Sequence, residues 1–339
     1  MEIVEVKKSL VLGASGFLGQ HLEYALKVRG DFVVSVGRRP SHMLYRKSVA
    51  DEFNVLDLTN VPEFHSHFFR HTFDEVYNMA GEVGGLGWIG TGQHDAEILT
   101  NSLKINLYTL EAMQKTGAAN KIFFASSQCV YPDAKLSIDP FASERIAPPP
   151  SPWREQDASW NTFAFGQEKL YAEALYNAYH RNHGLDVRIG RLGNIYGPYS
   201  TWNGDRAKAV AAICRKVSQA PYAGVIELWG DGHQTRSFTY VDDAIDGILR
   251  LMASEYSGPV NIAHPDLVSI ADLFETICSV AGKVLAWNPT DGLQGVRNRG
   301  SDNTLCKQVL GWEPHTCLYE GIEKTYPWIK EQALTKASA

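Results

Sequence analysis

The sequence predicts a doubly wound α/β fold, a mostly parallel sheet with helices on both faces, followed by a smaller mixed lobe. Three observations predict it. Short apolar runs alternate with helix-like stretches as far as Arg191, a glycine-rich turn joins the first run to the first helix, and beyond Arg191 turns rich in Gly, Pro and Trp interrupt the alternation.

Taken in order, residues 9–12 form a short apolar strand that runs into Gly13-Ala-Ser-Gly16-Phe-Leu-Gly19, and residues 20–28 have helical character. A second strand is expected at 32–36. Further β-like runs at 75–79, 121–125 and 187–191 are separated by helical stretches, notably 96–115 and 167–182. The run Ala147-Pro-Pro-Pro-Ser-Pro152 cannot continue a helix or an inner strand and reads as a surface excursion. Later turns are Tyr196-Gly-Pro, Thr201-Trp-Asn-Gly and Trp229-Gly-Asp-Gly, and the tail after Trp328 reads as a fraying helix end.

A chain of 339 residues with a net charge of -6 is long enough for two lobes and carries no general attraction for nucleic acid or an anionic membrane. Cys129, Cys214, Cys278, Cys306 and Cys317 are odd in number and scattered, without zinc-ligand spacing. A reducing, cytoplasmic location without a structural metal is the expectation. No apolar stretch has the length of a membrane span.

The glycine turn is the first functional signal. Gly13-x-x-Gly16-x-x-Gly19 between strand and helix brings backbone N–H groups and the positive helix end to where a pyrophosphate can sit, a Rossmann-type arrangement. Ser15, Phe17 and Leu18 lie within it, and Ala80 follows the strand at 75–79. A tight turn without a ligand is the plainer reading of the glycines alone. After the second strand stands Gly37-Arg38-Arg39 where a NAD site usually has a carboxylate, which favours a 2′-phosphate and hence NADP, with NAD the alternative. Ligand-free surface arginines explain the same residues. Asp57 and Leu58 are candidates for an adenine contact.

The run Phe123-Phe-Ala-Ser126-Ser127-Gln-Cys129-Val-Tyr131-Pro132 puts two hydroxyls and a thiol at the end of an apolar strand, the side on which open α/β sheets bind ligands. Serines that cap strand ends and an inert buried thiol are the alternatives. Phe165-Gly-Gln-Glu-Lys169 has the spacing of a Tyr-x-x-x-Lys pair, in which the lysine favours the tyrosinate as a base. Phe165 has no proton to exchange, so hydride chemistry should be impaired in this chain.

The order of these pieces resembles extended short-chain dehydrogenases acting on nucleotide sugars. Arg188-Ile-Gly-Arg191-Leu-Gly-Asn194-Ile-Tyr196-Gly-Pro198, Thr201-Trp-Asn-Gly-Asp-Arg-Ala-Lys208, Trp229-Gly-Asp-Gly-His-Gln234-Thr-Arg236 and Gly295-Val-Arg297-Asn-Arg299-Gly-Ser301-Asp302-Asn303 look like the GDP-mannose 3,5-epimerase family, as do Gly84-Gly85-Leu-Gly87 and Leu310-Gly-Trp312. The resemblance implies a GDP-hexose substrate, oxidation at C4, proton exchange at C5 and C3, and reduction of the ketone by the same dinucleotide. It also implies a symmetric homodimer. Cys129 and Lys208 match the family's acid/base pair, and Lys169 would hold the nicotinamide ribose. Ser127, with Ser126 beside it, would meet the C4 oxygen. Asn194, Gly87, Gln234 and Ser301 would contact sugar or nucleotide, and Arg236, Lys216 and Arg297 the diphosphate, with Arg299 a weaker candidate. Ion pairs within the fold are the competing role for each cation. Phe165 and Gly37-Arg38 are the two departures from the family pattern. Other readings are a nucleotide-sugar 4-epimerase, 4,6-dehydratase or 4-ketoreductase, and a non-catalytic dinucleotide sensor. The expected division is a dinucleotide domain over 1–193 and 237–262 and a nucleotide-sugar lobe over 194–236 and 263–335.

Overall fold

A computed structural model describes residues 6–43, 45–60, 71–131, 164–293 and 295–337. The proline-rich run at 147–152 lies outside the described residues. The chain begins with strand β1 (Lys8–Leu12), helix α1 (Phe17–Arg29), strands β2 (Phe32–Gly37), β3 (Glu52–Val55) and β4 (Glu75–Asn78), and helices α2 (Leu86–Ile89) and α3 (Asp95–Thr116). Strand β5 (Lys121–Ser127) runs into a single 3₁₀ turn, Gln128–Val130. Helix α4 (Ala164–His183) and strands β6 (Asp186–Leu192) and β7 (Asn194–Tyr196) follow.

Next come α5 (Ala209–Gln219), β8 (Ala223–Trp229), β9 (Thr235–Arg236), β10 (Phe238–Tyr240), α6 (Val241–Ala253) and β11 (Pro259–Ile262). The rest comprises β12 (Val268–Ser269), α7 (Ile270–Ala281), β13 (Val284–Thr290), β14 (Asn298–Arg299), α8 (Thr304–Leu310) and α9 (Leu318–Ala337).

Seven strands form one sheet in the order β11-β6-β5-β4-β1-β2-β3, and every pairing in it is parallel. Alternation along the strands explains the two layers of core. Leu10, Leu12, Val34, Val36, Ile122 and Phe124 pack on one face, whereas Val11, Val33, Tyr77 and Phe123 pack on the other. Each such side chain contributes about 1.5–3 kcal/mol by leaving water.

The sequence progresses outward from β1 in both directions, through β2 and β3 on one side and β4 to β6 on the other. The crevice at the carboxyl ends of β1 and β4 is therefore the ligand position of such a sheet. Smaller sheets pair β7 with β10, β8 with β13, and β9 with β12 and β14. Trp312 is buried against the α6 backbone, where a Cβ at Gly247 would come within 3.1 Å of its ring. The terminal helix does not fray after Trp328. It continues to Ala337 because Ile329 and Ala333, one turn apart, are both buried.

Candidate active site

The turn after β1 is shaped for close approach. Gly13 has φ 83, and a Cβ there would lie 2.8 Å from the Ala80 nitrogen at the end of β4. A Cβ on Gly19 would lie 2.3 Å from the Gly13 carbonyl oxygen, so the helix packs directly on the turn. Gly16 caps α1 without a side-chain hydrogen bond, and the first turn holds no acidic residue. The helix end thus keeps N–H donors and positive potential for an anion, and its glycine walls leave room for a pyrophosphate. These residues fit a dinucleotide.

Around the adenosine end, the Gly37 backbone is so close to Ser15 that a Cβ would come within 2.6 Å of the Ser15 Cβ. Arg39 donates to the Ser15 carbonyl at 2.5 Å. Arg38 reaches across to Glu82, with Nη1 3.2 Å from Oε1. Asp57 accepts from the Thr59 amide at 2.9 Å and hydroxyl at 2.8 Å. Burial opposes ionisation of Asp57, but those two bonds and the Arg38 charge together hold its carboxyl below the ordinary range. Leu58 is a core side chain.

At the end of β5, Ser127 Oγ accepts from the Cys129 amide at 3.1 Å and so organises the 3₁₀ turn that presents the thiol. Arg299 donates through Nη1 to Cys129 Sγ at 3.0 Å. Ser126 takes the opposite direction: its hydroxyl donates to Glu173 at 2.5 Å, in a buried network with Arg191, whose Nη2 lies 2.6 Å from the same carboxylate. Strand alternation sends neighbouring serines to opposite faces, so Ser126 braces α4 instead of facing the cleft expected for it.

Lys169 is buried, with Nζ 3.4 Å from Glu168 Oε2 and 5.0 Å from the Phe124 ring centre. Nζ also lies 3.4 Å from where a Cβ of Gly81 would be, at the end of β4. Burial pushes the Glu168 carboxyl up, against the opposing pull of Lys169 and Asn106. Phe165 packs in an apolar cluster with Ile89, Ile98, Trp88 and Cys129. The position of a tyrosine phenol is therefore filled by a side chain matched to apolar neighbours.

Lys208 is the residue immediately before α5. The residue is exposed. Desolvation lowers its pKa below the ordinary ammonium value, opposed by the Cys129 charge, so the two groups sense one another.

The remaining predicted contacts divide. Asn194 donates to the Ser237 carbonyl at 3.2 Å. Gln234 donates to the Trp229 carbonyl at 3.0 Å, and its buried Oε1 has no hydrogen-bond partner among the described residues. The Gly87 Cα faces Asp205 and the Trp229 ring, 3.2 and 3.5 Å from where its Cβ would stand. Arg236 spans to the carbonyl of Thr235 at 2.7 Å and to that of Arg297 at 3.4 Å. Lys216 donates to the Glu227 carbonyl at 2.5 Å. Arg297 is held by both oxygens of Asp231, at 2.8 and 2.7 Å, which is the intramolecular ion pair set against its diphosphate role. Ser301 is buried and donates to Asn303 at 2.5 Å, away from solvent.

Two groups that the motifs passed over join the site. Glu82, buried just beyond β4, binds both Arg38 and Arg206. Arg206, two residues before Lys208, reads in the sequence as one more surface cation. Among the described residues no cluster suited to a metal ion occurs, and no helix is long and apolar enough to cross a membrane.

Residues 9–263 match the NAD dependent epimerase/dehydratase family. The chain is 38% identical over 323 residues to GDP-mannose 3,5-epimerase 1 of Oryza sativa subsp. indica, spanning 95% of this chain and 81% of that protein. It is likewise 38% identical over 327 residues to the GDP-mannose 3,5-epimerase of Arabidopsis thaliana, spanning 96% and 82%. Among solved structures, UDP-glucose 4-epimerase of Thermotoga maritima with UDP-glucose superposes with a TM-score of 0.78 at 23% identity, over 96% of this chain and 99% of that one. A tyrosine-to-phenylalanine mutant of Bacillus cereus UDP-glucuronic acid 4-epimerase, in complex with UDP-4-deoxy-4-fluoro-glucuronic acid and NAD, gives 0.76 at 25% identity over the same shares.

Proposed function

The chain belongs to the NAD dependent epimerase/dehydratase family, and on that premise we propose that it epimerises a GDP-hexose resembling GDP-mannose at C3, C5 or both, through a transient 4-keto sugar. One observation carries the reading. The Cys129 thiol, held by Arg299 at 3.0 Å, lies at the carboxyl end of β5 within electrostatic reach of Lys208. A bound nicotinamide dinucleotide would supply reversible oxidation of the sugar at C4. The chain's own residues do the rest. Lys169 holds the ribose side of the cofactor site, Ser127 meets the C4 oxygen, and Cys129 and Lys208 remove and return protons at the carbons that the ketone acidifies. A lysine with a lowered pKa is the better base near neutral pH. Asn194, Gly87 and Gln234 line the sugar and nucleotide side, and Arg236, Lys216 and Arg297 supply positive charge for the diphosphate, Arg297 by exchanging Asp231 for it, with Arg299 the weaker candidate because it holds the thiol. Residues 194–236 and 263–335 form that side.

Phe165 makes the opening oxidation slow, because no phenol stands beside Lys169 to take the hydroxyl proton. The protein is then a disabled form of an active epimerase. Incubating Phe165→Tyr with GDP-mannose in deuterated water should place deuterium at C3 or C5. Absence of incorporation from any GDP-hexose sinks the reading. Cofactor binding without turnover in that variant would support a non-catalytic dinucleotide sensor instead.

NADP is the preferred cofactor in this proposal, because Gly37 leaves no carboxylate for a ribose hydroxyl and Arg38 and Arg39 can meet a 2′-phosphate. A symmetric homodimer would cover Leu107 on α3 and Tyr171 on α4, both exposed in the single chain. Sedimentation of a Tyr171→Glu variant as a monomer is the check. The five cysteines are all free, which suits a reducing, cytoplasmic setting.

A further inference from the structure

Residues 197–208, between β7 and α5, have neither helix nor strand to fix them. Their last turn is fixed from outside. Arg206 Nη2 donates to Glu82 Oε2 at 2.8 Å and Nη1 donates to the Val83 carbonyl at 3.2 Å. Its guanidinium lies 3.7 Å from the centre of the Trp88 ring, which also stacks on His94 at 3.3 Å. The Gly85 amide donates to the Arg206 carbonyl at 3.0 Å. The two backbones are so close that a Cβ on Gly85 would fall 2.1 Å from the Ala207 carbonyl oxygen. All of these contacts grip the two residues that precede Lys208. They tie them to the segment leaving β4, which is part of the main sheet.

Glu82 is 2% exposed. A carboxylate so far from water must keep a cation, and it has two. Arg38 is 58% exposed at its side chain and Arg206 is 32% exposed. The less hydrated Arg206 is the stronger anchor, and Arg38 can leave for a ligand without leaving Glu82 unpaired.

We propose that Arg206, anchored on Glu82 and stacked on Trp88, is the positioning residue that holds Lys208 in the cleft opposite Cys129. The inference rests on the acid/base role given to Lys208 above. Arg206 acts through Lys208 and touches no reacting atom.

Among the described residues, Cys129 is the charge that acts on Lys208, with Arg299 donating to that thiol, and Asp205 and Arg206 precede Lys208 in its own segment. Desolvation of the amine lowers its pKa although the residue as a whole is exposed. If the anchor is cut, the amine gains water and its pKa returns towards the ordinary value of about 10.4.

The test is competitive acetylation of the whole chain from about pH 6 to 10, without substrate, with the Lys208 peptide followed by mass spectrometry. Arg206→Gln should move the Lys208 midpoint upwards and slow its labelling at neutral pH about tenfold for each unit moved. Arg206→Lys should recover part of the effect, and Glu82→Gln should reproduce it with no further change in the double variant. An unchanged Lys208 midpoint in Arg206→Gln, with native circular dichroism and unchanged cofactor affinity, overturns the proposal. So does an ordinary midpoint in the parent. Should Arg206→Gln fail to fold, Arg206→Lys and Glu82→Gln decide the matter by the same criterion. Labelling needs no turnover, so a positive result beside a null deuterium experiment would leave the anchor standing and remove the epimerase reading.

Discussion

Replacing Arg38 by alanine tests the cofactor assignment most directly. Arg38 gives one long contact to Glu82, 3.2 Å, from a side chain that is 58% exposed. An exposed pair of this kind contributes about 0–1 kcal/mol. Glu82 retains Arg206 at 2.8 Å, so turning Arg38 towards a 2′-phosphate strands no buried charge. A charge-assisted hydrogen bond to a phosphate contributes about 1.5–3 kcal/mol. The net gain is about 1–2 kcal/mol, or about 5- to 30-fold in affinity for NADP over NAD. Arg38→Ala should therefore weaken NADP by that factor and leave NAD nearly unchanged. Isothermal titration at low salt reads both constants, and the preference should shrink as salt rises. Tighter binding of NAD by the parent, or equal loss of both cofactors in the variant, refutes the reasoning.

Two stability predictions follow from buried charges. Arg191→Met leaves Glu173 without the partner now 2.6 Å away in a pair shielded from water, and should cost about 3–5 kcal/mol in urea denaturation, whereas replacing both residues by apolar ones should cost much less. Glu75 is pushed down to about 2: burial works against ionisation, but bonds from Lys7, Tyr77 and Arg29 outweigh it. Its stabilising effect is complete above the unfolded pKa of about 4.3 and fades as pH falls towards 2. The urea midpoint should drop over that interval in the parent and drop less in Glu75→Gln; parallel curves would disprove the assignment.

Much of this architecture is written locally. The strand at 9–12, the helix after it and the turn between them can be read from alternation and from glycines that only a close backbone approach requires. Parallel pairing follows from helices placed between the strands. The four-residue spacing from Phe165 to Lys169 marks the missing phenol, whereas Cys129 and Lys208 are marked only by the resemblance of their surrounding runs to the epimerase family. Element ends were less legible. The terminal helix outlasts Trp328 because burial of Ile329 and Ala333, a tertiary effect, overrides the expected fraying.

What no local pattern contains is the choice of partner. Arg299 bonds to a thiol 170 positions earlier, and Arg206 to a carboxylate 124 positions earlier. Arg297 meets Asp231, and Ser126 turns to Glu173 while its neighbour organises the thiol. An ion pair depends on distance and hydration in the folded chain, and chain separation carries neither. The sequence by itself determined the parallel α/β alternation and the glycine turn between β1 and α1. Only the packing of the 201–208 segment against the end of β4 decided that Arg206 joins Arg38 on the buried Glu82, because proximity to a carboxylate is set by the fold and not by position in the chain.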